Sequence, residues 1–327
     1  MNLNRSVQHT NQTNDQQVNF IDLQETSSIK SVHFSPYEWS QDTIIVVLED
    51  LIIVGQVSIQ DTISLKKLCE IEYSGAYTAL SISPDACIST LPIHIQFCVA
   101  DTKDFNLRVY SCTGTSEEAQ VHKDLVGHRS YINAVAYDPE NNYISSVSDD
   151  NTCRVWSIPE DHECVATFIL SSPGMATCWH REDVSKLLVA EKCGIIRFYN
   201  INTQKALMSL DVRKNLYDVH WAPSDSQLLG SLQMGELILW DVTKPSCPKQ
   251  KLLFTQHGGS LRFSALGELV AAVNKLEGSL KVVHIHTLQQ RLNVPIQLPT
   301  NVTWHSRLPV LCVGDDRRLC FWKVKSK

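Results

Sequence analysis

Cys178 and His180 stand two positions apart, as a thiol and its activating base would in a nucleophilic site. The same slot recurs, however. His180 follows Trp179 as His305 follows Trp304, each at the end of a short apolar run. A feature repeated at one position of a repeat belongs to the scaffold. Asp149-Asp150 and Asp315-Asp316 offer paired carboxylates for acid–base work. Both pairs fall at expected turns, where Asp is favoured because its side chain bonds nearby backbone. His284 and His286 share one side of an expected strand. No Cys, Asp or Glu stands at a matching position to complete a tetrahedral metal site. Gly258-Gly259 and Pro173-Gly174 lack the lysine and helix start of a phosphate loop. Arg317-Arg318 is an isolated basic doublet, expected to be solvated. The chain reads as having no catalytic set, no cofactor, no metal and no small-molecule substrate.

The elements around these residues belong to a protein with a large core. Of 327 residues, 43% are hydrophobic and 20% charged, the balance of an ordinary globular chain. The formal net charge of −6 lacks the basic excess of a nucleic-acid holder, so direct nucleic-acid binding is not expected and partners should be proteins. Eleven cysteines include no C-x-x-C pair. Cys98, Cys153 and Cys178, set among apolar neighbours, read as small buried hydrophobes in a reducing compartment. Residues 1–17 are rich in Asn, Gln and Thr and read as a disordered polar tail without a signal-peptide core, ahead of one domain over 18–327. The most apolar stretch, residues 44–54, is broken by Glu49 and Asp50 and is too short to span a bilayer, so no membrane insertion is expected. A soluble intracellular protein is the expectation.

A repeat organises the whole chain. A short strand ending near a proline or small polar residue recurs as Val32-His33-Phe34-Ser35-Pro36, Leu80-Ser81-Ile82-Ser83-Pro84 and Val135-Ala136-Tyr137-Asp138-Pro139. Four more copies end at positions 181, 223, 265 and 306. The seven end points lie 48, 55, 42, 42, 42 and 41 residues apart. After each copy comes an apolar run, a polar turn and a strand that usually ends in an aromatic, as at Trp156, Tyr199, Trp240 and Trp322. Four short strands per period of about 40–45 residues is the signature of propeller blades. The fold class expected is all-β, a single seven-bladed β-propeller.

One copy closely resembles the WD40 pattern, running from Gly127-His128 to Ser146, Asp150 and Trp156. That resemblance implies a hydrogen-bonded chain in which Trp156 donates to Ser146, Ser146 links to His128, and Asp150 holds the imidazole. Other copies lack the full set, so most of them are expected to rely on packing alone. Only five residues follow Trp322, too few for a fourth strand. Residues 18–23 are a spare strand at the other end, expected to pair with the strand ending at Trp322 and close the ring, since an open sheet edge invites aggregation.

The run Ser172-Pro173-Gly174-Met175, Cys178-Trp179-His180, Leu188-Val189-Ala190-Glu191-Lys192, Gly194 and Ile196-Arg197-Phe198-Tyr199 is unusual for a generic WD40 repeat. It resembles the small single-propeller nucleoporins of the Y-shaped outer-ring complex of the nuclear pore. So do Ser146-Val147-Ser148-Asp149-Asp150 and the terminal Trp304-His305, Leu308-Pro309 and Phe321-Trp322. The resemblance implies a scaffold subunit at the nuclear envelope that binds the helical region of a larger nucleoporin and, through it, other outer-ring nucleoporins. In animals it also implies a presence at mitotic kinetochores. Pro173 and Met175 are expected as apolar anchors of that contact, with Gly174 between them and Lys192 on the rim. The bland alternative is that Pro173-Gly174 shapes the loop and Met175 packs beneath it.

Two other readings compete. A WD40 adaptor could serve as a ubiquitin ligase substrate receptor or a reader of histone tails, which would need a docking motif or an aromatic or acidic cage at the channel mouth. A propeller enzyme would need acidic, histidine or nucleophilic groups converging on the channel from several blades.

Overall fold

Second strands carry runs such as Ile44-Ile45-Val46-Val47, Leu187-Leu188-Val189-Ala190 and Val270-Ala271-Ala272-Val273, all buried. A strand apolar on both faces needs a cover on each side. Outer strands such as Lys205–Asp211 are mostly exposed. Sheets standing radially, each covering the next, satisfy both demands at once.

The computed structural model describes residues 18–60, 62–73, 75–113 and 120–325; the expected disordered tail, 1–17, lies outside the described residues. Among these residues are seven four-stranded antiparallel sheets. Six are meanders in chain order, such as Gly174–Trp179, Lys186–Glu191, Ile195–Asn200 and Lys205–Asp211 of blade four. The innermost strands are Ser31–Phe34, Tyr77–Ile82, Ile132–Tyr137, Gly174–Trp179, Leu216–Trp221, Ser260–Phe263 and Pro299–Trp304. The first two repeat units are long for identifiable reasons. Blade one extends its outer hairpin through Leu51–Ile59 and Ile63–Glu72, and blade two inserts residues 83–93 after its innermost strand.

The core is partitioned into seven apolar clusters, one for each neighbouring pair of blades. Ile45, Val47 and Val54 of blade one meet Leu80, Phe97 and Val99 of blade two, for example. Each fully buried Val, Leu or Ile in such a cluster contributes about 1.5–3 kcal/mol.

Polar links between adjacent innermost strands run round the same ring. His33 Nε2 lies 2.9 Å from the Tyr77 hydroxyl. Tyr137 N–H donates to Ser81 Oγ, Trp179 Nε1–H to the Ala136 carbonyl and Cys178 Sγ–H to the Val219 carbonyl. Leu261 N–H donates to Asp218, and Trp304 Nε1–H to the Arg262 carbonyl. Asn301 and Thr303 then bond the backbone of Val32 and Phe34, which returns the ring to blade one.

The seventh sheet joins both ends of the chain. Val18–Asp22 pairs antiparallel with Arg318–Lys323, Val18 opposite Trp322 and Ile21 opposite Leu319. Its order is first strand, third, second, innermost, so the leading segment supplies the outer strand the C-terminal blade lacks. Ile21 and Leu23 enter the cluster between blades seven and one, with Phe34 and Phe321.

Candidate functional site

In each meander, the loop into the innermost strand and the turn between second and third strands open on one face, here called upper. The turns after the first and third strands open on the lower face.

Blade three carries the complete polar chain. Trp156 Nε1–H donates to Ser146 Oγ at 3.0 Å, and Ser146 Oγ lies 2.8 Å from His128 Nε2. His128 Nδ1 lies 2.8 Å from Asp150 Oδ2, which also accepts from Arg129 N–H. Burial pushes His128 below its ordinary pKa, against the pull of Asp150. Burial would raise the Asp150 carboxyl, but bonds from Thr152, Arg129 and His128 outweigh it and hold it low. The charges therefore sort as neutral imidazole and carboxylate, so Nδ1–H donates to Asp150 and Nε2 accepts the Ser146 hydroxyl. Buried polar groups demand such partners. Blade five holds a shorter version: Trp240 Nε1–H donates to Ser231 Oγ at 2.9 Å, without a histidine. The sequence reading singled out no such pair in another blade.

In blade four, Glu191 ends the second strand fully buried and latches the loop above it. Its Oε2 accepts from the N–H groups of Ser171 and Ser172 at 2.7 and 3.1 Å, while Arg197 Nη1 stands 2.7 Å from Oε1. Ser172 Oγ accepts from Cys193 N–H, and the Pro173 carbonyl accepts from Lys192 N–H at 2.8 Å. The loop before the innermost strand and the turn at residues 192–194 are thus one clamped unit. Gly194, at φ +101°, makes that turn, and a Cβ there would meet Lys214 backbone at 2.5 Å. Gly174 is buried against Val147, Pro173 and Met175 are half-buried, and Lys192 is exposed.

The same latch recurs at the end of other second strands, with different residues. Asp101 accepts from Ala76 N–H, Ser148 Oγ–H donates to the Ser130 carbonyl, Asn274 donates to the Gln256 carbonyl, and Asp315 accepts from Leu298 N–H. Upper-face side chains missed by sequence reasoning include Tyr131, Met234, Leu276 and Leu298, all large, apolar and exposed.

The residues that suggested chemistry have structural partners. His180 Nδ1 accepts from the N–H groups of Glu182 and Asp183, as His305 Nδ1 does from Arg307 and Leu308. His284 Nδ1 similarly accepts from His286 N–H. Asn301, Tyr77, His33, His220 and Arg262 bring polar groups to the inner wall, more than the sequence reading anticipated. Arg262 Nη1 pairs with Asp218 Oδ2 at 2.6 Å. Burial, then the Arg262 charge, pushes His33 and His220 down to about 3, so both are neutral. Among the described residues, no three His, Cys, Asp or Glu side chains form a metal-ligand set.

A closed ring of seven sheets with a His–Ser–Asp–Trp chain and clamped upper loops defines a WD40 propeller. The family model for the WD domain, G-beta repeat, matches residues 119–157, which hold that chain. Nucleoporin Nup37 of Mus musculus and of Homo sapiens are each 30% identical over 306 residues, covering 89% of this chain and 92% of theirs. Nucleoporin Nup37 of Drosophila melanogaster is 34% identical over 253 residues, 76% of this chain and 78% of its own. The chain belongs to the Nup37 family of nucleoporins, and its location is the nuclear pore complex.

Proposed function

We propose that this nucleoporin is a non-enzymatic scaffold subunit of the Y-shaped outer-ring complex. It binds the helical region of a larger nucleoporin, joins the other outer-ring subunits through it, and supports pore assembly and nucleocytoplasmic transport. The observation that carries this reading is the Glu191 latch, which fixes the loop at residues 171–173 and the turn at 192–194 into one surface. A preorganised surface loses little conformational freedom on docking.

The docking patch comprises Pro173, Gly174, Met175 and Lys192. Gly174 sets the loop path against Val147, Pro173 and the accessible part of Met175 supply apolar contact, and Lys192 supplies the charged rim. Exposed Met234, Leu276 and Leu298 extend apolar contact along the same face.

Affinity purification of the full chain from cells tests the reading. Co-recovery of outer-ring nucleoporins is expected, whereas a cullin adaptor or histones in their place would replace it with the competing WD40 readings. Met175→Glu and Lys192→Glu, each checked for folding by near-ultraviolet circular dichroism, should weaken binding to the helical nucleoporin. Unchanged affinity in both folded variants would remove this patch from the interface.

A further inference from the structure

The lower face carries a groove between blades six and seven, away from the clamped loops. It has a volume of about 330 Å³ and is lined by Leu266, Leu269, Leu308, Pro309 and Val324. Leu266 and Leu308 occupy equivalent turns after the innermost strands of these two blades, and are 69% and 40% exposed. Such turns favour Gly, Asn, Asp and Ser, and neither leucine is buried in the inter-blade core. Two exposed leucines beside an apolar hollow form a contiguous sticky surface, which soluble proteins rarely present without a partner.

Charge at the rim narrows the partner. The chain as a whole carries −6, yet Arg307, Lys323 and Lys325 are exposed at this edge. Glu268 contributes a carboxylate to the lining. A local basic rim on an acidic protein is complementary to an acidic segment and repels a basic one. The volume stands at the low end for binding pockets, roughly 300–1,000 Å³, enough for one or two large apolar side chains.

We propose that this groove is a second docking site, which takes a short acidic segment of a partner protein by seating its large apolar side chains between Leu266 and Leu308. It lies on the face opposite Lys192 and does not depend on the upper-face assignment, so one propeller would join two partners at once.

The test uses the full chain and a fluorescein-labelled peptide with a Phe and a Leu set among glutamates. Controls replace the glutamates with lysine, or the two apolar residues with serine. Fluorescence anisotropy should show saturable binding of the acidic apolar peptide alone. Leu308→Ser and Arg307→Glu should each weaken it at least about tenfold, with Lys192→Glu without effect. Near-ultraviolet circular dichroism confirms that the variants are folded. Absence of saturable binding, equal binding of the lysine peptide, or indifference to Leu308→Ser would overturn the proposal. So would a concentration-dependent dimer in sedimentation that Leu308→Ser dissolves, since the occupant would then be a second copy of the chain.

Discussion

Asn301 holds both backbone groups of Val32: its Oδ1 accepts from the Val32 N–H at 2.9 Å and its Nδ2 donates to the Val32 carbonyl at 2.8 Å. Beside it, Thr303 Oγ1 accepts from Phe34 N–H at 3.0 Å. The innermost strand of blade seven therefore recognises that of blade one by side chain, where no sheet ladder connects them. Asn301→Ala leaves two backbone groups at the seam without these partners. We predict a loss of about 1–3 kcal/mol, read from the midpoint of urea unfolding at unchanged slope.

The Trp156 chain gives a contrast within one molecule. Trp156 and Trp322 are both almost fully buried, but among the described residues Trp322 Nε1 has no hydrogen-bond partner. Ser146→Ala orphans the Trp156 N–H and the His128 Nε2 together, and should cost about 1–3 kcal/mol. Trp156→Phe should destabilise more than Trp322→Phe, because only the first breaks a polar chain. Equal unfolding midpoints for the two Phe variants would contradict that.

Gly174 has no room for a side chain. A Cβ there would lie 2.6 Å from Val147 Cβ and 3.0 Å from Leu170 Cδ1. Gly174→Ala should destabilise by about 1–3 kcal/mol through overpacking. Differential scanning calorimetry should show the lower melting temperature.

Stability should fall in mild acid. His33, His128 and His220 all have folded pKa values below the ordinary 6.5. Below about pH 6.5 the unfolded chain binds more protons than the folded one, so these residues stabilise fully above that pH and progressively less beneath it. For His33 and His220 the loss continues down to about pH 3. Urea midpoints measured from about pH 7.5 to about pH 5 should decline below pH 6.5, and His220→Gln should make the decline shallower.

What could be read from the sequence had fixed residue identities or fixed counts behind it. Each member of the His128–Trp156 chain has a distinct donor or acceptor, so chemistry constrains the residue type. Strand counting alone left the last blade one strand short and residues 18–23 one strand over; the strand observed is Val18–Asp22. The latches escaped because Asp101, Ser148, Glu191, Asn274 and Asp315 perform one task with four residue types. What they share is position, a polar residue at the last place of the second strand. Ser231 and Trp240 escaped for a different reason. Two residues, Met234 and Gly235, separate the second and third strands there, against three in blade three, so the Ser–Trp spacing is one shorter. The groove beside Leu308 joins turns distant in sequence and appears only once the blades are set side by side.

Ring closure by the leading strand is the physical basis for treating the propeller as one rigid docking body. Thermal unfolding of chains lacking residues 1–14 and residues 1–26 tests it directly. The shorter deletion should melt as the full chain does. The longer one removes Val18–Asp22 and the buried side chains of Ile21 and Leu23, together worth about 3–6 kcal/mol, and should melt markedly lower. Coincident melting of the two truncated chains would contradict closure by that strand.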